Sequence, residues 1–112
     1  MRRSADFART VRDGARSGRQ TLVVHLVPGS AGATGRVGFV VPRSVGGAVV
    51  RNRVKRRLRA IVAQRLSVLV GADVVIRALP GAADASSVHL ARDLDGALRS
   101  AQRRALEMSS HE

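Results

Sequence analysis

The chain has no cysteine, and only Phe7 and Phe39 among its 112 residues are aromatic. Without cysteine it has neither disulfides nor thiolate chemistry, which fits a reducing compartment. With so few aromatic side chains, the core must be built from Val, Leu, Ile and Ala. No stretch approaches the roughly 20 apolar residues of a membrane span, and no apolar run follows the basic N-terminus, as a signal peptide would require. We therefore expect one soluble, cytoplasmic domain over residues 1–112.

Acidic residues are missing from the middle of the chain. None lies between Asp13 and Asp73, although 11 of the 20 basic residues fall there, and the net charge is +12. A basic block between two balanced ends indicates a surface for a polyanion. Nucleic acid is the first candidate partner, and an anionic membrane is the second.

The side chains that usually perform hydrolysis are few and scattered. The three histidines are spread over a predicted strand, a predicted helix and the tail, with no cysteine or close carboxylate beside them, so they do not predict a metal site. The carboxylates do not have the spacing of a two-metal centre either. We therefore predict no catalytic residue and no metal site in the protein.

Apolar periodicity predicts both helices and strands. Residues 28–35 read as a turn that makes 36–41 the antiparallel hairpin partner of 20–27. Pro42 ends that strand or marks an edge, and a short extended piece follows before the basic segment. Ser86 or Ser87 caps the last helix, whose inner stripe is Leu90, Leu94, Leu98 and Ala101. The predicted order is α-β-β-(short β)-α-β-α, an α+β fold of the α/β sandwich type. Its helices are 4–13, the segment from 48 and the C-terminal helix, and its strands are 20–27, 36–41 and 71–79.

The segment "AVVRNRVKRRLRAIV" (48–62) places six basic residues among the nine from Arg51 to Arg59. At 100° per residue its apolar residues share one side, and Arg53 and Arg57 lie further round toward solvent. Like charges four residues apart destabilise a helix by roughly 0.2–0.5 kcal/mol per pair, yet no acidic residue is interspersed. A phosphate backbone is therefore favoured over a merely solvated face. The residues beside the apolar side, here called the basic stripe, are Arg51, Asn52, Lys55, Arg56 and Arg59.

The stretch "GFVVPRSVGGAVVRNRVKRRLRAIV" (38–62) resembles the signature region of the bacterial ribonuclease P protein component. That signature has a strand ending in a basic pair, a Val-Gly-Asn-Ala-Val turn and the motif Arg-Asn-Arg-x-x-Arg-x-x-Arg. The resemblance extends to "RRSADFARTVRDG", to "GADVVIRALP" and to the final helix, and so covers nearly the whole chain.

The resemblance implies a small mixed sheet flanked by helices, with a left-handed β-α-β crossover. It also implies a subunit of a ribonucleoprotein endoribonuclease, which removes the 5′ leader of precursor tRNA by Mg²⁺-dependent hydrolysis. The RNA subunit would carry the chemistry and hold the Mg²⁺, and the protein alone would be inactive. The implied partners are the catalytic RNA and precursor tRNA, not DNA or a membrane.

By position, the resemblance also implies which residues contact RNA. Pro42, Ser44 and Gly47 depart from the signature. Val11 and Val24 stand where relatives often have aromatic residues, which predicts weak stacking on the leader. The implied contacts to the catalytic RNA are Arg43, Arg51, Asn52, Arg53, Lys55, Arg56 and Arg59, and the implied leader cleft is Phe7, Val11 and Val24.

Two other classes of protein fit the charge alone. A structural RNA-binding protein of the ribosomal kind would share the basic helix, but the Arg-Asn-Arg motif after a strand and a glycine turn argues against it. A DNA-binding helix module would need a second helix or a dimer zipper beside the basic helix, and strands are predicted there instead.

Overall fold

The computed structural model describes residues 14–28, 36–69 and 71–110. Two short 3₁₀ turns lie in these ranges, at Arg43–Val45 and Pro80–Ala83. The predicted helix over 4–13 lies outside the described residues, and the single domain over 1–112 stays a prediction. The strands are β1 (Ala15–Gly18), β2 (Leu22–Pro28), β3 (Arg36–Val40) and β4 (Ala72–Ala78), and the helices are α1 (Ala48–Ala63), α2 (Leu66–Leu69) and α3 (Ser87–Ser110).

The strands form one mixed sheet in the order β1-β2-β4-β3. β2 pairs antiparallel with both β1 and β4, and β3 runs parallel to β4, with Phe39 opposite Ile76. The mixed sheet confirms the predicted α+β class. The predicted hairpin between 20–27 and 36–41 is wrong, because β4 lies between these strands. A continuously apolar strand is most stable at the centre of a sheet, where both edges are paired and both faces are covered.

Two short elements also differ from the prediction. β1 was missed because its sequence, "ARSG", lacks the bulky alternating residues that mark a strand, although Ala15 and Ser17 are buried and Arg16 is exposed. The extended piece predicted after Pro42 is the 3₁₀ turn Arg43–Val45. Both segments are short, polar and next to glycine, so the local pattern of apolar residues is too weak to predict their secondary structure.

One face of the sheet is covered by α1 and α3. The predicted inner stripe of α3 is confirmed, since Leu90, Leu94, Leu98 and Ala101 are all buried. Ser86 caps this helix as predicted, because its Oγ accepts the His89 backbone N–H at 3.0 Å. The sheet side of this core is Leu22, Val24, Leu26, Val74 and Ile76.

Val24 corrects the implied leader cleft. Its side chain is fully buried on the core face of β2, so it has no surface to offer an RNA chain. Successive side chains on a strand point to opposite faces, and the β2 residues on the other face are Val23, His25 and Val27. A shift of one residue along β2 therefore moves a side chain from the core face to the opposite face of the sheet.

This placement predicts the effect of a larger side chain at Val24. Val24→Tyr should lower the free energy of unfolding by about 1–3 kcal/mol, because the core has no room for the ring. Val49→Tyr makes the same change at a residue that is 79% exposed and should stay within about 0.5 kcal/mol of the parent. Urea unfolding of both variants checks this, and equal stabilities would contradict the burial of Val24.

Candidate nucleic-acid interface

A tight turn brings the chain from β3 into the basic helix. Gly46 has φ 156°, and a Cβ built there would lie 2.9 Å from Val50 Cγ1, so only glycine fits. Gly47 is the N-cap residue, and its carbonyl accepts the Arg51 N–H at 2.9 Å. α1 therefore begins three residues before its first arginine.

The apolar side of α1 fixes the direction of the basic stripe. Val54 and Leu58 are fully buried, and Ile61 and Val62 are nearly so. The helical register predicted from the sequence is therefore confirmed. Within the stripe, Asn52, Arg56 and Arg59 are exposed, and Arg51 and Lys55 are half-buried.

Arg53 and Arg57 do not point freely into solvent as predicted. Arg53 Nη2 donates to the Ala83 carbonyl at 3.2 Å, and Arg57 Nη1 donates to the Ala85 carbonyl at 3.1 Å. Helical periodicity could not reveal this, because the acceptors belong to the turn between β4 and α3, some 30 residues away in sequence. Both arginines hold that turn against α1. Their N–H groups donate to backbone carbonyls that take no part in the hydrogen bonds of the sheet.

Arg43 extends the cationic surface beyond the helix. It is exposed in the 3₁₀ turn before α1, and its carbonyl accepts the Gly46 N–H at 3.1 Å. Ser44, which replaces a basic residue of the family signature, is exposed beside it. This turn therefore offers one cation where the signature has two.

A small cavity of about 160 Å³ lies on the sheet face opposite the core, lined in part by Arg16, His25, Ser44 and Arg77. His25 is only 6% exposed, and its Nδ1 has no hydrogen-bond partner within the structure. Burial, with the nearby Arg16 and Arg77 charges, lowers the pKa of His25 below its usual 6.5. From the sequence alone, His25 is expected only as a residue of a strand. Phe7 and Val11 of the implied leader cleft lie outside the described residues.

Neither a metal centre nor a membrane segment is found in the described ranges. No group of three His, Cys, Asp or Glu residues there is arranged to hold a metal ion. No helix in the same ranges is long and apolar enough to cross a membrane.

Taken together, the arrangement defines a class of protein: a small α+β domain that presents one cationic helix face to a polyanion. Among the described residues, Asp73 and Asp95 form ion pairs with Arg36 and Arg65, which lie outside the basic stripe. The apolar side of α1 is buried in the same core as the sheet and α3, which directs its exposed cations outward. Cations on one helix face suit a phosphodiester backbone.

Comparison with known proteins identifies the family. A family profile described as Ribonuclease P matches residues 1–102. The ribonuclease P protein component of Streptomyces bikiniensis is 56% identical over 108 residues, covering 88% of each chain. That of Beutenbergia cavernae is 58% identical over 101 residues, covering 89% of this chain and 85% of that protein. The chain belongs to the ribonuclease P protein component family.

Solved structures agree with this assignment. The RNase P protein of Staphylococcus aureus superposes with a TM-score of 0.80 at 25% identity, covering 88% of this chain and 91% of that one. The RNase P protein of Thermotoga maritima gives a TM-score of 0.76 at 25% identity, covering 88% and 93%. The resemblance drawn from the signature region is thereby confirmed: the chain is a protein component of ribonuclease P, a ribonucleoprotein endoribonuclease of tRNA processing.

The buried His25 predicts a pH dependence of stability. Because its pKa is lowered in the folded state, the unfolded chain binds a proton first as pH falls. Its neutral form therefore supports the fold fully above pH 6.5, and that support is lost as pH drops toward the folded pKa. Thermal melting between pH 7.5 and 5.5 should show a steeper loss for the parent than for His25→Gln. Identical profiles would contradict the buried neutral imidazole, since His89 and His111 are common to both proteins.

Proposed function

We propose that this protein binds the catalytic RNA of ribonuclease P in the cytoplasm and helps it remove the 5′ leader of precursor tRNA. The observation that carries the proposal is the basic stripe itself. Asn52, Arg56 and Arg59 are exposed, none of the stripe cations has an acidic partner among the described residues, and the other side of the helix is buried in the core. The proposed contacts are Arg43, Arg51, Asn52, Lys55, Arg56 and Arg59, with Arg53 contributing from the flank. RNA, rather than DNA or a membrane, is the partner.

The protein's part in the reaction is electrostatic. A folded RNA must bring phosphates close together, and each fixed arginine neutralises charge that Mg²⁺ would otherwise have to screen. In this proposal hydrolysis is assigned to the RNA and its Mg²⁺ ions, as membership of the ribonuclease P protein family implies. Mg²⁺ on the RNA would activate water and stabilise the phosphate oxygens.

We further propose that the leader lies at the cavity lined in part by Arg16, Ser44 and Arg77 on the side of the sheet opposite the core, with Phe7 and Val11 at the cleft. Base–aromatic stacking contributes roughly 1–3 kcal/mol per base. Phe39, the other aromatic residue, packs against the core. Phe7 is therefore the ring available for stacking, and leader contact would depend mainly on phosphates, as Arg16 and Arg77 beside His25 would allow.

Reconstitution tests the function directly. A bacterial ribonuclease P RNA should cleave precursor tRNA at a lower Mg²⁺ concentration when this protein is added, because its cations replace part of the Mg²⁺ screening. The protein alone should not cleave. An unchanged Mg²⁺ requirement, or cleavage by RNA-free protein, would refute the proposal.

The basic stripe predicts a salt dependence of RNA binding. Each neutralised phosphate adds roughly 0.7–0.9 to the slope of log affinity against log salt. Arg59→Ala should therefore make the slope shallower by nearly that amount. The control is Arg103→Ala, which should leave the slope unchanged. Arg103 is exposed and lies near the C-terminal end of α3. Equal changes in both variants would show that bulk charge alone matters.

A further inference from the structure

A groove of about 570 Å³ lies between α1 and the first turns of α3, on the flank of α1 next to the basic stripe. On α1 it follows the line Arg53, Arg57, Ala60 and Gln64, whose spacing of four, three and four residues marks one helix face. Arg59 belongs to the neighbouring face. The groove is lined by Arg53, Arg56, Arg57, Ala60, Ile61, Gln64, Arg65, Ser87, Val88 and Ala91.

Most of the positive charge on the walls of this groove is not neutralised by an acidic residue of the described ranges. Its lining includes four arginines and no acidic residue. Arg65 is paired with Asp95, at 2.6 Å, but the hydrogen bonds of Arg53 and Arg57 go to neutral carbonyls, which hold the guanidinium groups without cancelling their charge. The first turn of the 24-residue helix α3, the positive end of the helix dipole, lines the same groove through Ser87 and Val88, and it has no acidic residue.

The rest of the groove is apolar and open. Ala60, Ile61, Val88 and Ala91 provide this surface, and Val88 is 76% exposed at the rim. An exposed valine beside four arginines suits a ligand with an anionic part and a flat apolar part. A volume of 570 Å³ lies within the usual range of sites for small molecules. This is room for a nucleotide but not for a duplex.

We propose that this groove binds an unpaired nucleotide of RNA, with its phosphate on Arg56 and Arg57 and its base against Ala60, Val88 and Ala91. The proposal rests on the proposed function, since it takes RNA as the partner. It adds a second contact surface beside the basic stripe. The carbonyl bonds of Arg53 and Arg57 hold the cationic wall in place before RNA arrives, which reduces the ordering cost of binding.

A matched pair of substitutions on α3 tests the groove in the full-length protein. Val88→Glu places a carboxylate at the rim, in a helix turn where acidic residues are favourable, so the fold should persist. Leu106→Glu makes the same change in charge at a residue that is 73% exposed, about 27 Å further along the helix at 1.5 Å per residue. Val88→Glu should weaken binding to ribonuclease P RNA about tenfold more than Leu106→Glu, because like charges then face each other across the contact.

The result separates the groove from the stripe. If Val88→Glu and Leu106→Glu weaken binding equally, the groove proposal is overturned, and the Arg59→Ala result still decides the stripe. If all three variants bind like the parent, both proposals fail. The melting temperature of each variant, measured beside that of the parent, checks that the variant is folded.

Titration with small probes tests the nature of the ligand. Adenosine 5′-monophosphate should shift the backbone amide signals of Ser87, Val88 and Ala91 in NMR spectra, and inorganic phosphate should shift those of Ala91 less. Equal shifts with phosphate alone would overturn the claim of a base contact. Equal shifts with a poly-glutamate peptide would assign the groove to an acidic protein instead.

Discussion

The pairing of β4 on both of its edges is the constraint on which the molecule depends. β4 runs antiparallel to β2 and parallel to β3, and Val74, Val75 and Ile76 have no exposed surface. Adjacent parallel strands cannot be joined by a tight turn, so the chain must cross over the sheet between them. That crossover contains α1. The basic helix therefore lies where the strand pairing requires it, with its apolar side on the sheet and its cations outward.

Three acidic residues of the described ranges, Asp73, Asp93 and Asp95, form contacts inside the protein and not with the basic stripe of α1. Asp73 binds Arg36, its partner across the β3–β4 ladder, at 2.8 Å. Asp93 accepts the Thr21 hydroxyl at 2.6 Å and the Thr21 N–H at 3.1 Å, joining α3 to the start of β2. The hydrogen bond from Arg65 lowers the pKa of Asp95 and ties α3 to the end of α1. The net positive charge is therefore concentrated on one part of the surface instead of being spread evenly.

The local sequence predicted the structure correctly where one side of a helix or strand is strongly apolar. The stripes of α1 and α3 and the Ser86 cap follow from periodicity and residue type, because burial of Leu, Val and Ile dominates those helices. It failed where partners are distant in sequence. The hairpin assigned to β2 and β3, the placing of Val24 in the leader cleft and the solvent-facing Arg53 and Arg57 were all wrong because their real neighbours come from β4, α3 and the turn before α3.

By itself, the sequence determined the family, the basic helix with its register, and the absence of thiol chemistry. These are properties of composition and of short spacings, which the chain carries before it folds. Only the tertiary structure decided the strand order, the face on which Val24 and His25 lie, and the groove in which Arg57 and Val88 meet. Those depend on which distant segments are brought together, and a local pattern cannot encode that because it is the free energy of the whole core that selects the pairing.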